Sequence, residues 1–83
     1  LYVHRMPQFY IYGQVQRPGN FTLERGMTVA QAVAKGGGLT LRGSAKGIRL
    51  HRRDAGGTVQ ITEPRLDDPM RADDLIFVRE SLF

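Results

Sequence analysis

The chain has 83 residues, no cysteine, 41% hydrophobic and 24% charged residues, and a net charge of +4. Such a chain makes one small domain with a modest core, without disulfides or thiolate metal sites. No apolar run approaches the ~20 residues needed to span a bilayer as a helix.

Ten of the twelve basic residues are arginine. Arginine grips planar anions in bidentate fashion, so the partners it admits are an acidic polysaccharide, a nucleic acid or an acidic protein face. A solvated surface with a mild positive excess accounts for the charge equally well. Lack of cysteine leaves the compartment open, because periplasmic proteins can lack disulfides as readily as cytosolic ones. The chain opens on Leu1 and not on Met, so it reads as a piece of a longer protein, with any targeting signal upstream. Residues 1–8 read as the end of a preceding segment or a linker, and 9–83 as the domain.

Phe9 to Gln16 alternates with period two, the signature of a half-buried strand. Phe9, Ile11 and Val15 point one way; Tyr10, Tyr12, Gln14 and Gln16 point the other. Gly13 interrupts the first row and marks a bulge or a close backbone approach. Arg17-Pro18-Gly19-Asn20 has the order of a type II turn, and Phe21 and Leu23 then alternate with Thr22 and Glu24. A β-hairpin with a tight Pro-Gly turn is expected.

Thr28 and Gln31 have capping-box spacing. Val29, Ala32 and Val33 share one face of a helix of about two turns, which packing on a sheet must hold. Gly36-Gly37-Gly38 stops it, because glycine takes the left-handed conformation without penalty. Leu39 to Gly47 reads as a loop, Ile48 to Arg52 as a strand, Asp54 to Gly57 as a turn and Thr58 to Thr62 as a further strand. Val59 and Ile61 share one face of that strand. Glu63 to Ala72, broken by Pro64 and Pro69, reads as irregular. Leu75-Ile76-Phe77-Val78 is a continuous apolar run, the mark of a strand buried on both faces. The expected fold is α+β, in the order β-β-α-β-β-β: a β-grasp-like mixed sheet with one short helix. Leu1 to Arg5 also echoes Ile76 to Glu80, which suggests tandem copies in a parent protein, although five residues can match by chance.

No catalytic or metal constellation stands out. His4 and His51 lie on different strands without the three or four ligands that zinc needs. Asp67-Asp68 and Asp73-Asp74 suit turn formation and local ion pairing better than acid–base work or calcium. The three glycines follow a helix and do not precede one, so they are not a phosphate loop. Ser44 and Ser81 have no evident His-carboxylate relay. The best ligand candidates are Arg42, Lys46, Arg49, His51, Arg52 and Arg53, a stripe fit for anionic sugar or phosphate backbone. A charged edge that discourages strand pairing explains them as well. Tyr10 and Tyr12 are amphipathic aromatics that stack on sugar rings or a neighbouring subunit, or else pack under the helix; the area a tyrosine buries favours the core.

Several stretches together resemble a known family. They are Gly13-Gln14-Val15-Gln16-Arg17-Pro18-Gly19-Asn20-Phe21, Met27-Thr28-Val29 with Gln31-Ala32, and Gly36-Gly37-Gly38-Leu39-Thr40 through Arg42-Gly43-Ser44. Asp74-Leu75-Ile76-Phe77-Val78-Arg79-Glu80-Ser81 closes the pattern. The chain resembles the SLBB (soluble ligand-binding β-grasp) domain of bacterial polysaccharide export proteins over nearly its whole length. It departs from that pattern at Ala72-Asp73, where Pro-Gly is usual, and at Arg79, where Pro is common.

The resemblance implies a non-enzymatic periplasmic module of an outer-membrane-associated channel for exopolysaccharide or capsule. Such a module works through ring assembly with other copies, an inner-membrane export component and weak contact with the passing polysaccharide. It carries no defined sugar-contact motif, so the basic stripe rests on the residues of this chain alone. The alternative is a nucleic-acid-binding module of a DNA-uptake type protein. The low aromatic content and the absence of an RNA-stacking motif speak against it, so no nucleic acid is expected as a partner. Cobalamin binding, known among β-grasp relatives, finds no motif here, and no cofactor is expected.

Overall fold

A computed structural model describes residues 7–80, apart from the side chain of Ala45. The echo at Leu1–Arg5, His4 and Ser81 lie outside the described residues. Among the described residues five strands and one helix follow in the order β1 (Gln8–Gly13), β2 (Gly19–Thr22), α1 (Val29–Lys35), β3 (Gly43–Arg53), β4 (Val59–Thr62) and β5 (Leu75–Glu80). They form a single sheet in the spatial order β2-β1-β5-β3-β4. β1 and β5 run parallel, Ile11 beside Ile76, while every other pair is antiparallel. The expected α+β, β-grasp-like arrangement is what forms, and the last strand of the sequence becomes the central strand of the sheet.

Alternation along the strands sorts side chains into two faces. Phe9, Ile11, Ile48, Leu50, Ile76 and Val78 point to one face, where Val29, Ala32 and Val33 of α1 cover them. Phe9, Ile11, Val29, Ala32, Ile76 and Val78 are fully buried there. Phe21 packs on this core, and its ring lies 5.9 Å from that of Phe9.

Helix α1 has only seven residues, and its ends are closely satisfied. The Thr28 hydroxyl accepts from the Gln31 amide at 3.3 Å, and the Gln31 side chain accepts from the Thr28 amide at 3.0 Å. Val29 and Ala30 donate to the carbonyls of Asp68 and Leu66, so the irregular 63–72 segment covers the helix start. At the other end Gly37 donates to Ala34 O and Gly38 to Val33 O, the paired bonds of a Schellman motif. Gly37 holds φ +83° there, as the expected left-handed stop requires.

Three expectations are corrected. First, the β1–β2 hairpin has no tight Pro-Gly turn. The strands pair from Gln8↔Thr22 to Ile11↔Gly19 and leave a wide connection between them. The helix exit takes up that connection: Val15 bridges Leu39, Gln16 donates to Gly38 O and Arg17 donates to Gly36 O. β1 itself ends at Gly13 and does not run on to Gln16. Gly13 has φ +92°, and a Cβ there would collide with the carbonyl oxygen of Val78. The close backbone approach is therefore real.

Second, β3 begins at Gly43 within the expected loop. Gly43 pairs with Glu80, and the register shifts before Ile48 pairs with Val78. The glycines allow this irregular start without ending the strand.

Third, β5 is buried on one face only. Ile76 and Val78 are inside, whereas Phe77 is 40% exposed on the other side. One helix can cover one face of a five-stranded sheet, and it covers the Phe9/Ile11 face. Tyr10 and Tyr12 therefore do not pack under the helix.

Candidate ligand-binding face

The sheet registers place specific side chains side by side on the face away from α1. Tyr10 lies beside Leu75, Leu75 beside His51, and His51 beside Ile61. Two residues further along the strands, Tyr12 lies beside Phe77 and Phe77 beside Arg49. Arg53 neighbours Val59. Neighbouring strands stand ~4.8 Å apart, so each row is a contiguous band. No strand or helix among the described residues covers this face, and Tyr12 remains 43% exposed on it.

The face carries a hollow of about 630 Å³, lined by Tyr10, His51, Arg53, Val59 and Leu75 together with Ala72, Asp73 and Asp54. Its walls mix aromatic and aliphatic surface with the His51 ring and the Arg53 guanidinium. That mixture can stack on a flat apolar patch and donate hydrogen bonds to hydroxyl or carboxylate oxygens.

Two of the lining residues are shaped by backbone constraints. Asp73 sits at φ +67°, the only non-glycine in the left-handed region among the described residues, in the turn closed by Asp74 N–H to Arg71 O. It fills the place where Pro-Gly was expected, as Asp tolerates this conformation better than most residues. The Asp54 carboxylate accepts from the amides of Gly56 and Thr58 and from the Gln60 side chain. The Thr58 amide, then Gln60, holds this carboxyl below its ordinary value. It serves the β3–β4 turn.

The sequence-predicted basic stripe does not stay together. Arg49, His51 and Arg53 reach the open face with Tyr10 and Tyr12. Arg49 folds back to donate to the carbonyls of Lys46 and Ile48, both at 3.0 Å. Arg52, one residue out of phase, points to the opposite face. Its Nε and guanidinium NH2 donate to the two oxygens of buried Asp74 at 3.0 and 2.7 Å. That bond raises the Arg52 pKa further above its usual value, and Asp68 adds to it through space. Arg52 is thus a structural residue. Arg42 sits in the turn before β3, its guanidinium 3.5 Å from Glu80, and Lys46 lies in the irregular start of β3.

Sequence reasoning missed Leu75, Phe77, Val59 and Ile61 as members of this face. One signal was available: Arg79 shares the parity of Leu75 and Phe77, and a charged residue in that row indicates solvent. Among the described residues no group of three or more metal-ligating side chains comes together.

The chain is thus a small α+β domain, a β-grasp-like sheet with a helix on one face and an open aromatic and basic surface on the other. The SLBB domain family model matches residues 8–63, and the chain belongs to that family. The match includes α1 and the open-face residues of β1, β3 and β4, and ends before β5. No curated protein matches the chain closely enough to count as a relative.

Proposed function

We propose that this SLBB domain is a non-enzymatic, periplasmic module of an exopolysaccharide or capsule export channel. It stands in a ring with other copies, together with an inner-membrane export component, and touches the passing polysaccharide on its open sheet face. The observation that supports this reading most is the gathering of Tyr10, Tyr12 and Phe77 with Arg49, His51 and Arg53 on one uncovered surface. Aromatic rings offer flat apolar area to the faces of sugar rings, and arginines bind carboxylates of acidic sugars. A conduit must release its cargo, so a broad surface with shallow contacts suits it better than a deep pocket. SLBB membership supports ligand binding in general and is consistent with polysaccharide as the ligand.

The test is a titration of the isotopically labelled chain with the acidic exopolysaccharide of its own source organism, followed by amide NMR. Shifts are expected at Tyr10, Tyr12, Arg49, His51, Arg53 and Phe77. Arg49→Ala with Arg53→Ala should weaken binding about tenfold or more while the spectrum stays folded. Shifts confined to other residues, or undiminished binding by the double variant, would remove the open face as the contact surface. A nucleic-acid module would instead bind a mixed-sequence oligonucleotide with affinity that falls steeply as salt rises.

A further inference from the structure

Among the described residues β4 forms one edge of the sheet and pairs only with β3. All four of its residues are exposed, with Ile61 at 61% and Val59 at 46%. Edge strands are commonly blunted by charge, proline or a bulge. Thr58-Val59-Gln60-Ile61-Thr62 contains neither charge nor proline, and its register with β3 runs without interruption.

The direction of the free backbone groups follows from the ladder. Asp54 donates to Thr58 O at 2.9 Å, so these two face each other as a hydrogen-bonded pair. Antiparallel ladders alternate bonded and non-bonded pairs. Gln60 and Thr62 therefore also aim their backbone groups at β3, while Val59 and Ile61 aim theirs outward.

The segment Thr-Val-Gln-Ile-Thr reads nearly the same in both directions. In a second copy placed antiparallel with Gln60 opposite Gln60, Val59 meets Ile61 and Thr58 meets Thr62. In the same register the outward N–H and C=O groups of Val59 and Ile61 meet their counterparts. Sliding by two residues, the smallest step that keeps outward groups facing each other, sets Ile61 against Gly57 or Val59 against Glu63. Backbone pairing and side-chain matching thus select one register. None of the five residues carries a charged side chain that would meet its own like charge across the two-fold axis.

We propose that β4 is a homotypic docking edge. Two copies of this chain join β4 to β4 about a two-fold axis at Gln60 and make one continuous sheet. Such a contact is isologous, so it is separate from the head-to-tail contacts that close a ring. It sets the two open faces side by side, with Val59 and Ile61 of both copies at the join, and it does not depend on which ligand those faces take.

The chain has no cysteine, so single introduced cysteines report without interference. Opposed Cα atoms at a non-bonded position are ~4.5 Å apart, within the roughly 4.4–6.8 Å reach of a disulfide. Gln60→Cys places two cysteines there, whereas Thr58→Cys leaves them ~13 Å apart along the strands. The expected results are a concentration-dependent dimer by sedimentation velocity and cross-linking of Gln60→Cys at least ~10-fold faster than Thr58→Cys. Ile61→Pro, which removes an outward N–H that β3 does not use, should sediment as a monomer with an unchanged circular dichroism spectrum. If that variant unfolds, Val59→Lys with Ile61→Lys sets lysine against lysine and should be monomeric instead. A wild type that stays monomeric at millimolar concentration, equal cross-linking rates, or a dimer that survives the folded edge variants would each overturn the proposal.

Discussion

Asp74 is the one buried charged side chain among the described residues, and its surroundings explain how the sheet tolerates it. Its oxygens accept from two atoms of the Arg52 guanidinium and from the Arg71 amide, which leaves no buried polar side-chain atom unpaired there. Removing one member of a buried pair strands the other, and that is the costly step. Asp74→Ala and Arg52→Met should each lower stability in urea unfolding by about 2–4 kcal/mol. Arg53→Met, one residue along on the open face, should cost less than ~0.5 kcal/mol. Asp54 has a different dependence. Its folded pKa lies below the ordinary value of 3.8, so its stabilisation of the turn is complete above that value. That stabilisation is lost as pH falls through the lowered folded value. The stability difference between the wild type and Asp54→Ala should hold steady above about pH 4 and narrow below it. The Gly56 and Thr58 amide resonances should move over the same range.

Elements in this fold are short and depend on their neighbours for completion. α1 spans seven residues, too few to persist alone, and it borrows two carbonyls from the 63–72 segment for its first amides. That borrowing orders a stretch whose sequence reads only as turns and prolines. The β1–β5 pair meets closely at its end. Gly13 is its last β1 position, beside Val78, and Gln14 continues by donating to Val78 O at 3.0 Å. A side chain at Gly13 would need a left-handed backbone and would strike that carbonyl. Gly13→Ala should therefore cost at least about 2 kcal/mol and lower the thermal midpoint by ~10 °C. Gly56→Ala, with an ordinary negative φ and only van der Waals contact to Asp54, serves as the mild control in the same melt.

At the scale of the whole molecule, the sheet is asymmetric. One face holds the core and its helix. The other displays tyrosine, phenylalanine, histidine and arginine in two bands, of which Tyr10-Leu75-His51-Ile61 crosses from β1 to β4 and Tyr12-Phe77-Arg49 from β1 to β3. The β4 edge lies at the end of the longer band. Joining two such edges would extend the surface, and a polymer that touches many weak sites at once gains from a longer array.

Local pattern in the sequence determined the elements that rest on near neighbours. Thr28 and Gln31 cap the helix, Gly36 to Gly38 stop it, Asp54 to Gly57 turn the chain, and alternation marks Phe9 and Ile11 as core. Only the tertiary structure decided what those elements meet. The Pro18-Gly19 pair forms no tight turn, because the helix exit supplies better hydrogen-bond partners to Gln16 and Arg17. Leu75 to Val78 looks like a strand buried twice over, yet a single helix covers one face and leaves Phe77 in the open. The basic stripe shows the same limit. Arg49, Arg52 and Arg53 are near neighbours in sequence, but strand parity sends Arg52 to Asp74, twenty-two positions away, and the other two to the open face. Periodicity tells which residues share a face; which face is covered depends on where a distant element packs.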